Sequence, residues 1–229
     1  MARHEGRILR CAALLFDLDG VLVDSTASVE RQWRLWAARH GIDGDALVRV
    51  VHGRRAEDTI REAAPHLDAA REVREVLAPA EAADSEGNVA VAGAAALLAS
   101  LPPDRWAVVT SGLPAVAAAR LASVGLPMPR VLVTAADVGR GKPDPEGYLL
   151  GARRLGVRAE RCVVFEDAPA GLAAARAAGP ASVAVATTHA LEELEADAVV
   201  ATLGDVRASA VGGEIVLTLR EVAAQPRGA

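Results

Sequence analysis

The sequence predicts an α/β fold, a doubly wound and mainly parallel sheet with a small all-helical domain inserted after the first strand. Three observations predict it. Short apolar runs at 11–17, 106–109, 131–133, 162–165, 182–186 and 197–200 are mostly separated by helical stretches of about ten residues, the pattern of parallel βαβ units. Residues 27–91 interrupt that alternation with helical periodicity and no convincing strand. Three of the apolar runs end in polar residues, Asp17 and Asp19, Thr110 and Ser111, and Glu166 and Asp167. A chain of 229 residues suits one α/β domain over 1–26 and 92–229 with a helical domain over 27–91.

In chain order, 11–17 reads as a buried strand stopping at Asp17, and Val21-Leu22-Val23 continues apolar to Asp24-Ser25. Val29, Trp33, Trp36, Ala37 and His40 then fall on one helical face, and Gly41 ends that helix. The two tryptophans read as packing for a small helical core, and His40 as a partner for the helix C-terminus. Further helices are expected over 44–51, 56–64 and 66–78, broken by Gly53, Pro65 and Pro79. The turn-rich stretch 84–88 carries the chain back. Helices over 93–100, 114–124, 145–155 and 169–178 alternate with the later strands, and Ile215-Val216-Leu217 is the last apolar run.

Composition narrows the function. With 52% hydrophobic and 24% charged residues the chain is an ordinary globular protein, and a net charge of −5 without a Lys/Arg cluster argues against nucleic acid. No run has the length of a membrane span and Met1–Arg10 has no apolar signal core, so a cytoplasmic setting is expected. Cys11 and Cys162 read as buried free thiols, since nothing around them has ligand spacing. Lysine is almost absent, which singles out Lys142 in Gly139-Arg140-Gly141-Lys142-Pro143. His66 and His189 read as surface residues.

The chemistry gathers where the strands end. In an extended segment the i, i+2 spacing puts Asp17 and Asp19 on one side, where like charges repel unless a cation such as Mg²⁺ sits between them. A parallel sheet brings the polar strand ends to one edge, and the Lys142 loop returns there. Carboxylates, hydroxyls with nearby backbone N–H groups and an ammonium suit phosphoryl transfer. Asp144 reads as a helix N-cap before Pro145.

The motifs Asp17-Leu18-Asp19-Gly20, Thr110-Ser111-Gly112, Lys142-Pro143 and Phe165-Glu166-Asp167, in that order and with a helical insert after the first, resemble the haloacid dehalogenase superfamily. The stretches Gly141-Lys142-Pro143-Asp144-Pro145 and Glu166-Asp167-Ala168-Pro169-Ala170-Gly171 look like its sugar-, hexitol- and glycerol-phosphate phosphatases. The resemblance implies that Asp17 attacks phosphorus and Asp19 acts as acid and base. It implies Mg²⁺ held by Asp17, the main-chain carbonyl of Asp19, Asp167 and, directly or through water, Glu166. Thr110 with the N–H groups of Ser111 and Gly112 would hold the phosphoryl oxygens, and Lys142 would neutralise charge. Asp24, Ser25, His52, Gly53, Arg54 and Arg55 are the candidate substrate-binding residues, for a small sugar or polyol phosphate. A phosphomutase related to the phosphoglucomutases is the alternative. Those enzymes carry a histidine twelve residues after the nucleophile, where this chain has Val29. Dehalogenases of the superfamily do not keep the second aspartate, and Asp19 is present.

Overall fold

The computed structural model describes residues 6–222. Its centre is a six-stranded parallel sheet of β2 (Ala13–Phe16), β5 (Trp106–Val109), β6 (Leu132–Val133), β7 (Cys162–Glu166), β8 (Ala181–Val185) and β9 (Ala198–Val200), in the order β6–β5–β2–β7–β8–β9. Alternation along β2 explains why both faces are covered. Leu14 and Phe16 join an apolar layer with residues of α6 (Ala94–Ala99) and α7 (Pro114–Ser123). Ala13 and Leu15 join the opposite layer, with α8 (Glu146–Arg154) and α9 (Pro169–Ala178). Phe16 stacks on Phe165 across the strand pair at 5.0 Å, fixing the register Phe16↔Phe165 in the dry centre.

The expected first strand over 11–17 is two strands. The chain bends at Ala12, and β1 (Arg7–Cys11) leaves the central sheet. It pairs antiparallel with β11 (Glu214–Leu219), which pairs with β10 (Val206–Val211), so the last apolar run belongs to a separate three-stranded sheet. Charged, largely exposed residues on β1 hide it from a hydrophobic reading and suit an edge strand.

The chain reaches the insert through β3 (Val23–Asp24), followed by α1 (Thr26–Arg39), α2 (Gly44–Val48) and α3 (Ala56–Ala63). A break at Pro79 does not occur. The chain stays helical from Ala69 to Ala83 as α4 (Ala69–Glu72), a π-helical turn (Val73–Leu77) and α5 (Ala78–Ala83). Proline lacks an N–H and crowds the carbonyl four residues back. The wider turn immediately before it, with Ala78 N–H donating to Val73 O, accommodates Pro79 without ending the helix. β4 (Val89–Ala90) then pairs antiparallel with β3, so the two connections form one short ribbon.

The helical insert has its own apolar cluster around Trp33, Trp36, Leu47, Ile60 and Leu77. The two indoles meet edge to face at 5.7 Å, and Trp36 Nε1 donates to Glu72 at 2.9 Å. His40 lies 3.2 Å from the same Glu72 and against the Trp36 ring, so a carboxylate of a neighbouring helix, rather than its own helix end, fixes it. Cys11 and Cys162 are buried and unpaired. Burial pushes their thiols up to about 12 and about 11, which leaves them unreactive. Among the described residues no helix is long and apolar enough to cross a membrane. Replacing Trp36 with Ala removes the largest fully buried side chain among the described residues and takes one of two partners from Glu72. It is expected to cost about 3–5 kcal/mol in urea unfolding monitored by circular dichroism.

Candidate active site

Because β2 lies between β5 and β7, Asp17, Thr110, Glu166 and Asp167 meet at the carboxyl edge of the sheet. Lys142 enters from the loop before α8. Its Nζ lies 2.6 Å from Asp17 Oδ1 and 2.6 Å from Glu166 Oε1, all three side chains buried. Tyr148, inward-facing on α8, donates to Glu166 Oε1 at 2.7 Å. The N–H groups of Asp167 and Ala168 donate to Glu166 Oε2 at 2.9 and 3.2 Å. Glu166 therefore accepts from four donors, so the expected direct contact between Glu166 and a cation competes with those bonds, and the side chain orients Lys142. Gly171 permits this packing, since a β-carbon there would lie 1.7 Å from Glu166 Oε1.

The electrostatics favour a cation among these carboxylates. Burial alone would push the Lys142 ammonium down, but Asp17 and Glu166 reverse that and hold its pKa above the ordinary value. Burial raises Asp17 to about 7, Lys142 offsetting part of the rise while Glu166 adds to it. Asp167 is pushed well up by burial and by the Glu166 and Asp17 charges. Oxygens of Asp17, Glu166 and Asp167 lie within 4.8 Å of one another, and buried Asp167 Oδ1 has no hydrogen-bond partner among the described residues. Three carboxylates facing one ammonium leave two negative charges unbalanced, so the donor set fits a hard divalent cation. Gly20, at φ +79°, makes room for Asp167, whose Oδ2 would lie 2.1 Å from a β-carbon at that position.

The side chains of Asp17 and Asp19 do not converge on one point as the extended spacing suggests. The chain turns after Phe16, and the Asp19 carboxylate accepts from Ser25 Oγ at 2.6 Å and faces Arg120 Nη1 at 2.5 Å. Its side chain is thereby committed, which leaves the main-chain carbonyl for any role in metal binding. Gly112 N–H is also engaged, donating to Thr110 Oγ1 at 3.0 Å, whereas Ser111 N–H makes no hydrogen bond among the described residues.

Over these groups lies a cavity of about 200 Å³ between the core and the helical insert. Asp17, Asp19, Thr110, Ser111 and Gly112 line its floor, and Val29, Trp33, His52, Gly53, Arg54 and Arg55 its wall and roof. Ser111 Oγ donates to Gly53 O at 3.0 Å, and Arg55 reaches the carbonyls of Val138 and Gly139 at 3.3 and 3.1 Å, so the 52–55 loop touches both neighbouring loops. Burial lowers the His52 pKa. Two substrate-binding expectations change. Asp24 lies in β3 and accepts from Thr26 N–H at 3.2 Å at the start of α1, while buried Ser25 acts on Asp19. The cap position of α8 is Pro145 rather than the expected Asp144, which lies one residue earlier and accepts from Glu146 N–H at 3.0 Å.

A match to the haloacid dehalogenase-like hydrolase family covers residues 11–179, from β1 to the end of α9. The chain belongs to this family. Among its relatives, hexitol phosphatase A of Escherichia coli is 44% identical over 82% of this chain and 90% of its own length. The validoxylamine A 7'-phosphate phosphatase of Streptomyces hygroscopicus is 40% identical over 86% and 97% respectively. The crystal structure of a hydrolase from Pseudomonas syringae superposes with a TM-score of 0.77 at 26% identity, covering 84% of this chain and 94% of that one.

Four contributors to this haloacid dehalogenase-like site escape the sequence reading. Arg120 is a cation on the apolar face of α7, four residues from Val116 and three from Ala117, a readable signal. Glu81, the lone charge in an alanine-rich turn, lies 3.7 Å from Arg120. Tyr148 is the chain's single tyrosine. Thr188 donates to the Asp167 carboxylate and lies 2.9 Å from His189 Nδ1, which places His189 beside His52, at 6.5 Å between rings, rather than on an isolated surface; only the fold brings that loop here.

Between the ordinary carboxyl value of 3.8 and the raised value of about 7, folded Asp17 holds a proton that the unfolded chain has lost. Asp17 thus makes the cation-free protein lose stability as pH rises through that window, and a divalent cation on the ionised carboxylates offsets the loss. The gap between melting temperatures in Mg²⁺ and in chelator should widen from pH 4 to pH 7. A gap that is absent or independent of pH contradicts the cation site.

Proposed function

We propose that the chain is an Mg²⁺-dependent phosphatase releasing inorganic phosphate from a small phosphorylated sugar or polyol through a phosphoaspartate on Asp17. Phosphoric monoester hydrolysis is the activity of the two phosphatases named above, which act by name on hexitol and validoxylamine A phosphates. The observation that carries the mechanism is the buried Asp17, bound by Lys142 next to Asp167, on the floor of a cavity large enough only for a small molecule.

One Asp17 oxygen attacks phosphorus as the bond to the leaving alkoxide breaks, which divides one difficult displacement into two. Lys142 keeps Asp17 aimed and balances charge on the incoming phosphate. Thr110 and the Ser111 N–H take phosphoryl oxygens from the β5 side. Asp19, rotating away from Ser25 and Arg120, takes up a proton from solvent and gives it to the leaving oxygen. It then withdraws a proton from the water that attacks the phosphoaspartate, and phosphate departs with Asp17 restored. Mg²⁺, held by Asp17, Asp167 and the Asp19 carbonyl, would supply the charge that lets two anions approach.

The helical segment 27–91 would act as a cap, moving on the β3–β4 ribbon to admit substrate and exclude water. The unpaired thiols support a reducing, cytoplasmic setting. The test is phosphate release from a panel of sugar and polyol phosphates. Release is expected with Mg²⁺, absent with chelator, and lowered at least about a thousandfold in Asp17→Asn. Release that survives Asp17→Asn at the wild-type rate contradicts the proposal.

A further inference from the structure

Where α1, the π-helical turn and α5 line the cavity it is apolar, at Val29, Trp33, Val73 and Ala78, with one exception. Glu81, on α5, lines the same wall with its side chain 12% exposed. Its nearest cation, Arg120 Nη2, is 3.7 Å away, too far for a hydrogen bond, and among the described residues no donor reaches its carboxylate. Arg120 is itself buried, with Nη1 spent on Asp19. A carboxylate withdrawn from water without donors is costly, and burial accordingly pushes Glu81 up to about 7. Such a group is satisfied when a ligand brings donors to it.

The rest of the cavity offers little to a second anion. Arg54 is paired with Glu62 at 2.5 Å, and Arg55 with Asp58 at 2.8 Å. An anionic substituent near Glu81 would also meet Asp19 beyond Arg120. From this geometry we infer that Glu81 is a specificity-determining residue, accepting hydrogen bonds from hydroxyls of a neutral, hydroxyl-rich leaving group and rejecting substrates with a second anionic group. The inference rests on the phosphatase reading and names the substrate class of that site.

The test compares kcat/KM ratios at pH 8, where Glu81 is ionised. One ratio is glycerol 1-phosphate over propyl phosphate, which lacks the hydroxyls. The other is fructose 1-phosphate over fructose 1,6-bisphosphate, which adds a second phosphate. Both ratios should exceed about ten in the wild type. In Glu81→Ala the first should fall by about tenfold, and in Glu81→Gln the second should fall by a similar factor, while Glu81→Asp keeps the second. A ratio does not depend on how much of a variant is folded, so a loss of yield cannot imitate the result. Ratios within about twofold of wild type in Glu81→Ala and Glu81→Gln, or a wild type indifferent to hydroxyls and to the second phosphate, overturn the assignment and leave the phosphatase reading intact. A wild type that releases phosphate from none of these esters, nor from p-nitrophenyl phosphate, overturns both.

Discussion

The buried contact of Lys142 with Asp17 and Glu166 is the interaction on which the site depends. Each partner alone would be expensive in a dry interior, and together they hold one another in place. Glu166 is the fixed point, because two backbone N–H groups and the Tyr148 hydroxyl anchor it independently of the lysine. Lys142 is positioned by Glu166, and Asp17 by Lys142. The order of the sheet makes this possible, since β2 and β7 are hydrogen-bonded neighbours whose ends deliver Asp17 and Glu166 side by side.

The two aspartates of the first motif illustrate how a short turn separates roles. Two residues apart in sequence, they face different cations, Asp17 the ammonium of Lys142 and Asp19 the guanidinium of Arg120. One cation comes from the loop before α8 and the other from α7, on the opposite side of the central strand. Arg120 also faces Glu81, so the helical insert reaches Asp19 through Arg120 as well as forming the cavity roof. Glu81, Arg120 and Asp19 thus form one line of charged side chains along the cavity that Asp17 floors.

Much of the architecture was legible because parallel strands covered on both faces are continuous apolar runs, and β2, β5, β7 and β8 are of this kind. The polar strand ends, Lys142 and the 52–55 loop were legible for the same reason, being departures from a regular pattern. What escaped depends on contacts remote in sequence. β1 reads as a charged terminus until β11, some two hundred residues later, pairs with it. Pro79 reads as a stop because the π-helical turn that accommodates it has no local signature. Glu81 gains its meaning from Arg120, 39 positions away, and Thr188 from Asp167, 21 positions away.

The claim that Asp17 is the nucleophile can be tested most directly by acid-quenching the enzyme within milliseconds of mixing with a turned-over phosphate ester and Mg²⁺, then mapping phosphorylated peptides by mass spectrometry. The account predicts a hydroxylamine-labile phosphoryl group on the peptide carrying Asp17, absent in Asp17→Asn and absent after chelation. A phosphoryl group on another residue, or turnover without any phosphorylated peptide across the full time course, would contradict it.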